Sequence, residues 1–305
     1  MRTARRLSEV YLQSKNILFD DDSKIIFFSD IHRGDNSLTD NFAHNQNIYY
    51  HALRRYYDEG FTYFQLGDGA ELWEQNHLDV IINAHSQMYK LLHQFYEKDR
   101  FFMLFGNHDK VMSNPQWVEE NLHDYKDEFL EEQGPLFPGL KVEEGLTLQY
   151  KKTGQKLLLV HGHQGDLLND KLWPVSMISI RFFWKYLHVV GFQNPASPVK
   201  NRNRRHRIES NFSKWIDDTG VGIICGHTHR MKLPGPNDTP YFNTGCCIHP
   251  RGINGIEIEN GKIALVDWTI ISKEDGDLMI ERKIIRGPFA IEEYMGIKPR
   301  KIKKR

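Results

Sequence analysis

Asp, Asn and His side chains stand directly after five short apolar segments of this 305-residue sequence. Each group alone is typical of a turn or a helix cap. Together they offer carboxylate and amide oxygens and imidazole nitrogens without a thiolate, a ligand set that suits Mn, Fe or Zn. The five groups are Asp30 and His32; Asp68; Asn107 and His108; His161 and His163; and His227 and His229.

The number of these side chains predicts two metal ions, because about eight candidate ligands are too many for a single ion. Asp68 could lie between the two ions, since each oxygen of a carboxylate can bind a different metal. In an extended chain, residues two apart point to the same side. This alternation favours Asp30 and His32 acting together, and likewise His227 and His229.

Strands must position these loops, and the first half of the chain alternates strand-like and helix-like segments. Runs of β-branched and aromatic residues predict strands, whereas apolar residues at helical spacing predict helices between them. Each strand ends at one of the polar groups. This alternation is typical of an α/β fold, which builds its sites at the carboxyl ends of strands. The predicted strands are 24–29, 63–66 and 101–105, and the predicted helices are 41–59 and 78–98.

The second half of the chain predicts further strands around an unusual insertion. The segment between the fourth and fifth polar groups is rich in aromatic residues, and nine Lys or Arg face three acidic residues between Gln164 and Trp215. We interpret 164–215 as a helical cap over the site. Ordinary helices packed on the core would explain the aromatic residues equally well, but the basic run 200–207 less well. The predicted strands are 146–150, 156–160, 222–225, 241–244, 255–259 and 262–267.

Composition narrows the class of protein. The 40 basic residues balance the 40 acidic ones, so net charge does not favour nucleic acid or an acidic membrane as a partner. Three cysteines are a poor basis for a disulfide framework. We find neither a signal peptide nor an apolar run near the roughly 20 residues of a membrane span. These observations predict a cytoplasmic protein with no transmembrane segment and no dedicated nucleic-acid partner.

The five groups, in this order, resemble the motifs of the calcineurin-like metallophosphoesterases. The resemblance covers about 24–266 and implies a mixed α/β fold, a four-layer αββα sandwich forming one domain over 1–305. It also implies two divalent ions, Mn²⁺ foremost with Fe or Zn as alternatives. The implied ligands of the first ion are Asp30, His32, Asp68 and His229, and those of the second are Asp68, Asn107, His161 and His227.

The resemblance further implies hydrolysis of a phosphoester or pyrophosphate bond by a metal-bound hydroxide. His108 would be the general acid or stabilise the transition state, and Asp109 would orient its imidazole. Our substrate-binding candidates come from the residues themselves. Arg33 could clamp a phosphate or pair with a surface carboxylate, and His163 stands beside a ligand. The full set of candidates is Arg33, His163, Arg202, Arg204 and Arg205.

Within the family, residues 67–73 resemble the motif Gly-Asp-x-x-Glu/Asp-x-Trp of UDP-diacylglucosamine pyrophosphohydrolases of lipid A synthesis. Three departures count against that subgroup: it typically has Arg where this chain has His108, its members are usually shorter, and its usual Asp-x-His-Leu ends here in Arg33. A protein Ser/Thr phosphatase and a non-catalytic metal-binding scaffold are the alternatives. The scaffold is disfavoured because every ligand position is intact.

The expected partner is a small-molecule or lipid-linked phosphate, and a basic aromatic cap could contact a membrane peripherally. Residues 296–305 form a basic tail, for which we predict a solubilising role. The sequence leaves the oligomeric state, the substrate and the bond preference open.

Overall fold

The computed structural model describes residues 2–127, 131–166, 169–170, 173–179, 181 and 201–295. Within them the helices are α1 (Arg2–Gln13), α2 (Gln46–Asp58), α3 (Leu78–Ala84), α4 (Ser86–Glu97), α5 (Pro115–Leu122), α6 (Trp173–Ser179), α7 (Arg202–Thr219) and α8 (Glu292–Met295), with 3₁₀ turns at Ala43–Asn45 and Lys110–Ser113. The strands are β1 (Lys15–Phe19), β2 (Ile25–Phe28), β3 (Thr62–Leu66), β4 (Phe101–Leu104), β5 (Asp124–Asp127), β6 (Glu132–Pro135), β7 (Val142–Glu143), β8 (Gly145–Tyr150), β9 (Lys156–Val160), β10 (Gly222–Cys225), β11 (Tyr241–Asn243), β12 (Ile253–Glu259), β13 (Lys262–Ser272) and β14 (Leu278–Ala290).

Two large sheets form the centre of the molecule. One has the strand order β14-β13-β12-β2-β3-β4-β7 and the other the order β1-β8-β9-β10-β11, while β5 and β6 form a separate hairpin. The strands β2, β3 and β4 run parallel, as do β9 and β10. Within each sheet, the carboxyl ends of these parallel strands therefore lie at the same edge.

The sheets pack face to face and helices cover their outer surfaces. Side chains of both sheets, such as Phe27 and Ile224, form one buried cluster between them. Tyr49 and Leu92 belong to the helices that cover the seven-stranded sheet. Each fully buried large apolar side chain contributes about 1.5–3 kcal/mol relative to an exposed one. The expected mixed α/β, four-layer αββα sandwich is thereby confirmed.

The helix α7 overlaps the end of the predicted cap. Its Phe212, Trp215 and Ile216 pack with Leu7 of α1 against the five-stranded sheet, so its apolar face belongs to the outer helical layer. The side chain of Asn201 caps its first turn, and Gly220 ends it with a left-handed φ of 73°. Most of 164–200 lies outside the described residues, and the cap there stays a prediction. The predicted basic tail, 296–305, lies outside them too.

Two features of the fold differ from the sequence-based prediction. The single helix expected over 78–98 is two helices, because the chain turns at His85, whose N–H still bonds back to Ile81 and Ile82. Strand β13 extends beyond the predicted 262–267 and pairs with β14 along a long hairpin at the sheet edge. None of the helices in the described part of the chain is long and apolar enough to cross a membrane.

Candidate metal centre

Five loops meet where the two sheets converge. The loops after β2, β3 and β4 come from the seven-stranded sheet, and those after β9 and β10 come from the five-stranded sheet. Backbone hydrogen bonds join neighbouring loops. The N–H groups of Ile31 and His32 both donate to the carbonyl of Asp68, and the N–H of Gly226 donates to that of His161. The strand ends therefore bring all five polar groups to one place.

A left-handed backbone sets the direction of most of these side chains. Among the residues that the structure describes, nine non-glycine residues have a positive φ, and five of them are predicted ligands. Such conformations cost about 1–3 kcal/mol each and cluster at functional sites. Strand-like alternation, our sequence argument for the pairs, therefore does not operate here; turns aim the side chains instead. The five are Asp30, His32, Asp68, His227 and His229.

The predicted ligands form two adjacent groups. In each group the ligand atoms lie within 4.8 Å of one another, the first comprising Asp30, His32 and His229, the second Asp68, His161 and His227. Asp68 lies between the groups. Its Oδ2 is 3.2 Å from Nε2 of His161 and 3.7 Å from Nε2 of His32. Oδ1 of Asp30 is likewise near both groups, 3.0 Å from Nε2 of His229 and 4.0 Å from Nε2 of His161, and the bridging position of Asp68 stays a prediction.

Some polar atoms in and beside the two groups lack a hydrogen-bond partner. Four buried atoms form no hydrogen bond with the described residues: Asp30 Oδ1, His32 Nε2, Asn107 Oδ1 and His161 Nε2. A buried polar atom without a partner costs about 1–3 kcal/mol. The 3.0 Å approach of His229 Nε2 to Asp30 Oδ1 likewise suits two atoms that face a shared ion. Oxygen and nitrogen donors of this kind fit two divalent cations.

Charge within the site favours cations. Burial opposes the charge of Asp68, but His161 and His108 hold its pKa well below the usual value. Burial also lowers the pKa of His161, yet Asp68 and Asp30 raise it to about 9. The carboxylates therefore attract protons onto a neighbouring imidazole. A bound divalent cation would displace that proton, since a ligand imidazole is neutral.

Glu71 is a site residue that our sequence analysis missed. Its two oxygens contact two imidazoles, Oε1 lying 2.7 Å from Nδ1 of His108 and Oε2 lying 2.6 Å from Nδ1 of His32. Both histidines therefore turn Nε2 away from Glu71. Although burial lowers the pKa of His108, Glu71 and Asp68 raise it to about 9. The signal was the Glu of the Gly-Asp-x-x-Glu motif, which we used only to recognise a subgroup.

His108 is fixed from two further sides. The ring of Trp73 stacks on its imidazole, with centroids 4.0 Å apart and an angle of 21° between the planes. The backbone N–H of His108 donates to Oδ1 of Asp68 at 2.8 Å. The contacts leave Nε2 as the nitrogen with which His108 can reach a substrate.

Asp109 does not take the orienting role that we expected. Its buried carboxylate accepts hydrogen bonds from the backbone N–H groups of Gly106 at 2.6 Å, Gly69 at 2.7 Å and Asp68 at 3.2 Å. Asp109 therefore ties the β4 loop to the β3 loop. Glu71 occupies the place beside His108 because it follows Asp68 on a loop that faces both imidazoles.

The substrate-binding candidates have different surroundings. The guanidinium of Arg33 is 1% exposed, donates to Gln65 and lies over the ring of Tyr89, so the phosphate clamp that we considered does not describe it. His163 is fully buried, with both ring nitrogens unpartnered among the described residues. Arg202 is exposed, and Arg205 is half-buried. Arg204 pairs with Asp166.

A close approach of backbone to ligand makes a glycine necessary. A Cβ at Gly226 would lie 1.7 Å from Oγ of Ser29 and 2.3 Å from Oδ2 of Asp30. We expect Gly226→Ala to displace Asp30 and weaken binding of the first cation, measured as bound Mn²⁺ at buffered free Mn²⁺. The matched control is Gly134→Ala, where the nearest atom is an ordinary 3.5 Å away. Unchanged Mn²⁺ binding in Gly226→Ala would contradict the role given to Asp30.

Comparison with known proteins gives a family match and matches to solved structures. The family model described as calcineurin-like phosphoesterase matches residues 23–231, which contain all five loops. No curated protein gave a significant match. Two similar solved structures are a mutant cold-active protein tyrosine phosphatase (12% identity, TM-score 0.40, 88% of this chain and 82% of that chain) and a putative 5'-nucleotidase from Staphylococcus aureus (15%, 0.35, 85% and 53%). This chain thus spans about half of the nucleotidase. Because both TM-scores are below 0.5, we draw no conclusion from either structure.

Proposed function

This chain belongs to the calcineurin-like phosphoesterase family and is a metal-dependent phosphoester hydrolase, and on that basis we propose that it acts through two cations held by the five loops. We propose Mn²⁺ as the metal, with Fe or Zn as alternatives. The observation that carries the proposal is the pair of adjacent ligand groups on either side of Asp68. Their buried, unpartnered atoms support it, because bound cations would offset the cost of leaving those atoms without protein partners.

Bound divalent cations would polarise the phosphoryl oxygens and lower the pKa of an attacking water. The chain's own residues complete the chemistry. His108, oriented by Glu71 and Trp73, presents Nε2 to the leaving oxygen and donates a proton or a hydrogen bond there. Glu71 stabilises the imidazolium form of His108 and also orients the ring of His32. The ligand roles are those that the resemblance assigns.

A recess opens beside His32 and Glu71. Its lining includes four carboxylates, so it suits the hydroxyl or amino groups of a substrate better than a second phosphate. The recess is lined by His32, Gly34, Asp35, Thr39, Asp40, Asn41, Glu71, Glu74 and Gln75.

A pyrophosphohydrolase acting on a UDP-linked acylated sugar is a second candidate. Trp73 of the subgroup motif stacks on His108, so the motif lies at the reacting centre. Arg181, within the predicted cap, donates to the carbonyl oxygens of Trp73 and Leu72. A cap anchored beside His108 could select an acylated substrate.

Substrate preference can be tested with protein stripped of metal and reloaded with Mn²⁺. We expect Mn²⁺-dependent turnover of at least one of p-nitrophenyl phosphate, bis-p-nitrophenyl phosphate and a panel of UDP-linked pyrophosphates that includes acylated sugars. The preferred compound distinguishes a monoesterase, a diesterase and a pyrophosphohydrolase. Metal-free protein is the control. Two bound Mn²⁺ per chain without turnover of any compound would contradict the proposal and favour a scaffold.

A further inference from the structure

A carboxylate outside the ligand set stands beside one of the predicted ligands. Oδ2 of Asp166 lies 4.0 Å from Nε2 of His227, and both side chains are buried. The Nδ2 atom of Asn169 donates to Oδ2 of Asp166 at 3.2 Å and lies 3.4 Å from the same nitrogen of His227. Nε2 of His227 therefore faces the loop that follows β9. Nδ1 is the nitrogen left to face the cation.

Arg204 fixes the carboxylate of Asp166. Its Nη2 donates to both carboxylate oxygens, at 2.6 Å each, and its side chain is only 12% exposed. Arg204 lies in the first turn of α7, whose Phe212 and Trp215 anchor the helix on the five-stranded sheet. The guanidinium is therefore held by a packed element, and it holds Asp166 in turn.

The loop that carries Asp166 and Asn169 is also fixed at Asp170. Lys110, which follows the β4 loop, donates to Oδ1 of Asp170 at 3.1 Å, and Nε of Arg6 on α1 lies 3.6 Å from Oδ2. Basic side chains from three separate elements, namely Arg6, Lys110 and Arg204, thus hold this acidic loop against the site. These ion pairs can keep Asp166 at a fixed distance from His227.

We propose that Asp166, held by Arg204, is a positioning residue that prepares His227 to bind the second cation. A carboxylate facing Nε2 keeps the proton on that nitrogen, which leaves the lone pair of Nδ1 for the metal. The 4.0 Å separation is too long for a hydrogen bond, so the effect is electrostatic, and burial strengthens it. The inference rests on the proposed function, because it requires His227 to be a cation ligand.

This role replaces the one that the sequence suggested for Arg204. A substrate-binding arginine would raise KM when removed and leave metal binding unchanged. An arginine that acts through Asp166 and His227 instead weakens binding of one cation. Measuring Mn²⁺ affinity without substrate therefore distinguishes the two roles.

The test uses the full chain, loaded with Mn²⁺ and dialysed against a series of buffered free Mn²⁺ concentrations, with bound metal determined by elemental analysis. For Asp166→Asn we expect one of the two ions to need about 10- to 100-fold more free Mn²⁺, the range usual for residues that orient a metal ligand. Arg204→Gln should shift the same ion in the same direction, and Arg204→Lys should restore part of the affinity. The electron paramagnetic resonance spectrum should show loss of the spin-coupled Mn²⁺ pair at intermediate concentrations.

Arg207→Gln is the matched control, because Arg207 lies one turn further along α7 and is exposed. Wild-type Mn²⁺ affinity in Asp166→Asn would overturn the inference. If that variant does not fold, Arg204→Gln decides alone, since it leaves the carboxylate in place and removes the guanidinium that holds it. His227→Ala distinguishes failure of the ligand assignment from failure of the positioning role. If His227→Ala still binds two Mn²⁺ ions normally, His227 is not a ligand. If His227→Ala loses one ion but Asp166→Asn does not, only the positioning role is refuted.

Discussion

Replacing Asp68 by Asn should remove nearly all hydrolytic activity and lower the amount of bound metal. The Oδ2 atom of Asp68 lies within 4 Å of an imidazole from each ligand group, and the resemblance implies that this carboxylate serves both ions. An amide is neutral and offers only one oxygen, and cannot neutralise and bridge two cations. Since each cation stabilises the transition state by several kcal/mol, we expect kcat/KM to fall by about a thousand-fold or more.

The measurement pairs steady-state kinetics at saturating Mn²⁺ with bound Mn²⁺ per chain. Asp58→Asn provides the control, because Asp58 lies on the exposed side of α2 and pairs only with Arg54 among the contacts found. Circular dichroism should show that both variants keep the fold. Full activity in Asp68→Asn would rule out the dinuclear arrangement.

Replacing His108 by Ala should lower kcat by about 10²- to 10⁴-fold while leaving both cations bound. The variant keeps the backbone N–H that donates to Asp68, and it removes a side chain that contacts Glu71 and to which the resemblance gives no role as a metal ligand. The imidazole is held by Glu71 and Trp73 with Nε2 turned outward, so its removal takes away a proton donor. Kinetics and bound Mn²⁺ per chain are the two measurements.

Glu71→Gln should give a different combination of effects. Because Glu71 also contacts Nδ1 of His32, this variant should lower kcat and weaken Mn²⁺ binding together. His44→Ala, at an exposed position, controls for loss of an imidazole elsewhere. A large loss of metal in His108→Ala would show that His108 is a ligand and not the acid, and unchanged metal affinity in Glu71→Gln would show that Glu71 does not orient His32.

The order of strands and polar loops could be read from the sequence because both depend on local patterns. Runs such as 101–105 are apolar on both faces, which is typical of strands buried between layers. Predicted and observed bounds of β9 and β10 are the same. Helix 78–98 was predicted as one element because its apolar spacing continues through His85, and the break depends on packing of that residue against Phe42 and Asp40.

Edge strands were harder to predict. β1 pairs in parallel with β8, more than a hundred residues away, and its own burial is low except at Phe19. β14 is largely exposed and lacks the apolar alternation of a half-buried strand. The strand conformation of β1 comes from hydrogen bonds to a distant partner, about which a local pattern contains no information. That of β14 comes from its hairpin with β13.

The sequence by itself determined which residue types follow each strand, and hence the family and the set of candidate ligands. Only the tertiary structure decided what those side chains contact. It placed Glu71, not Asp109, beside His108, buried Arg33 away from the recess, and turned Arg204 toward Asp166. The physical reason is range: strand and loop preferences act between neighbours in the chain, whereas the partner of a charged group is set by which loops two packed sheets bring together.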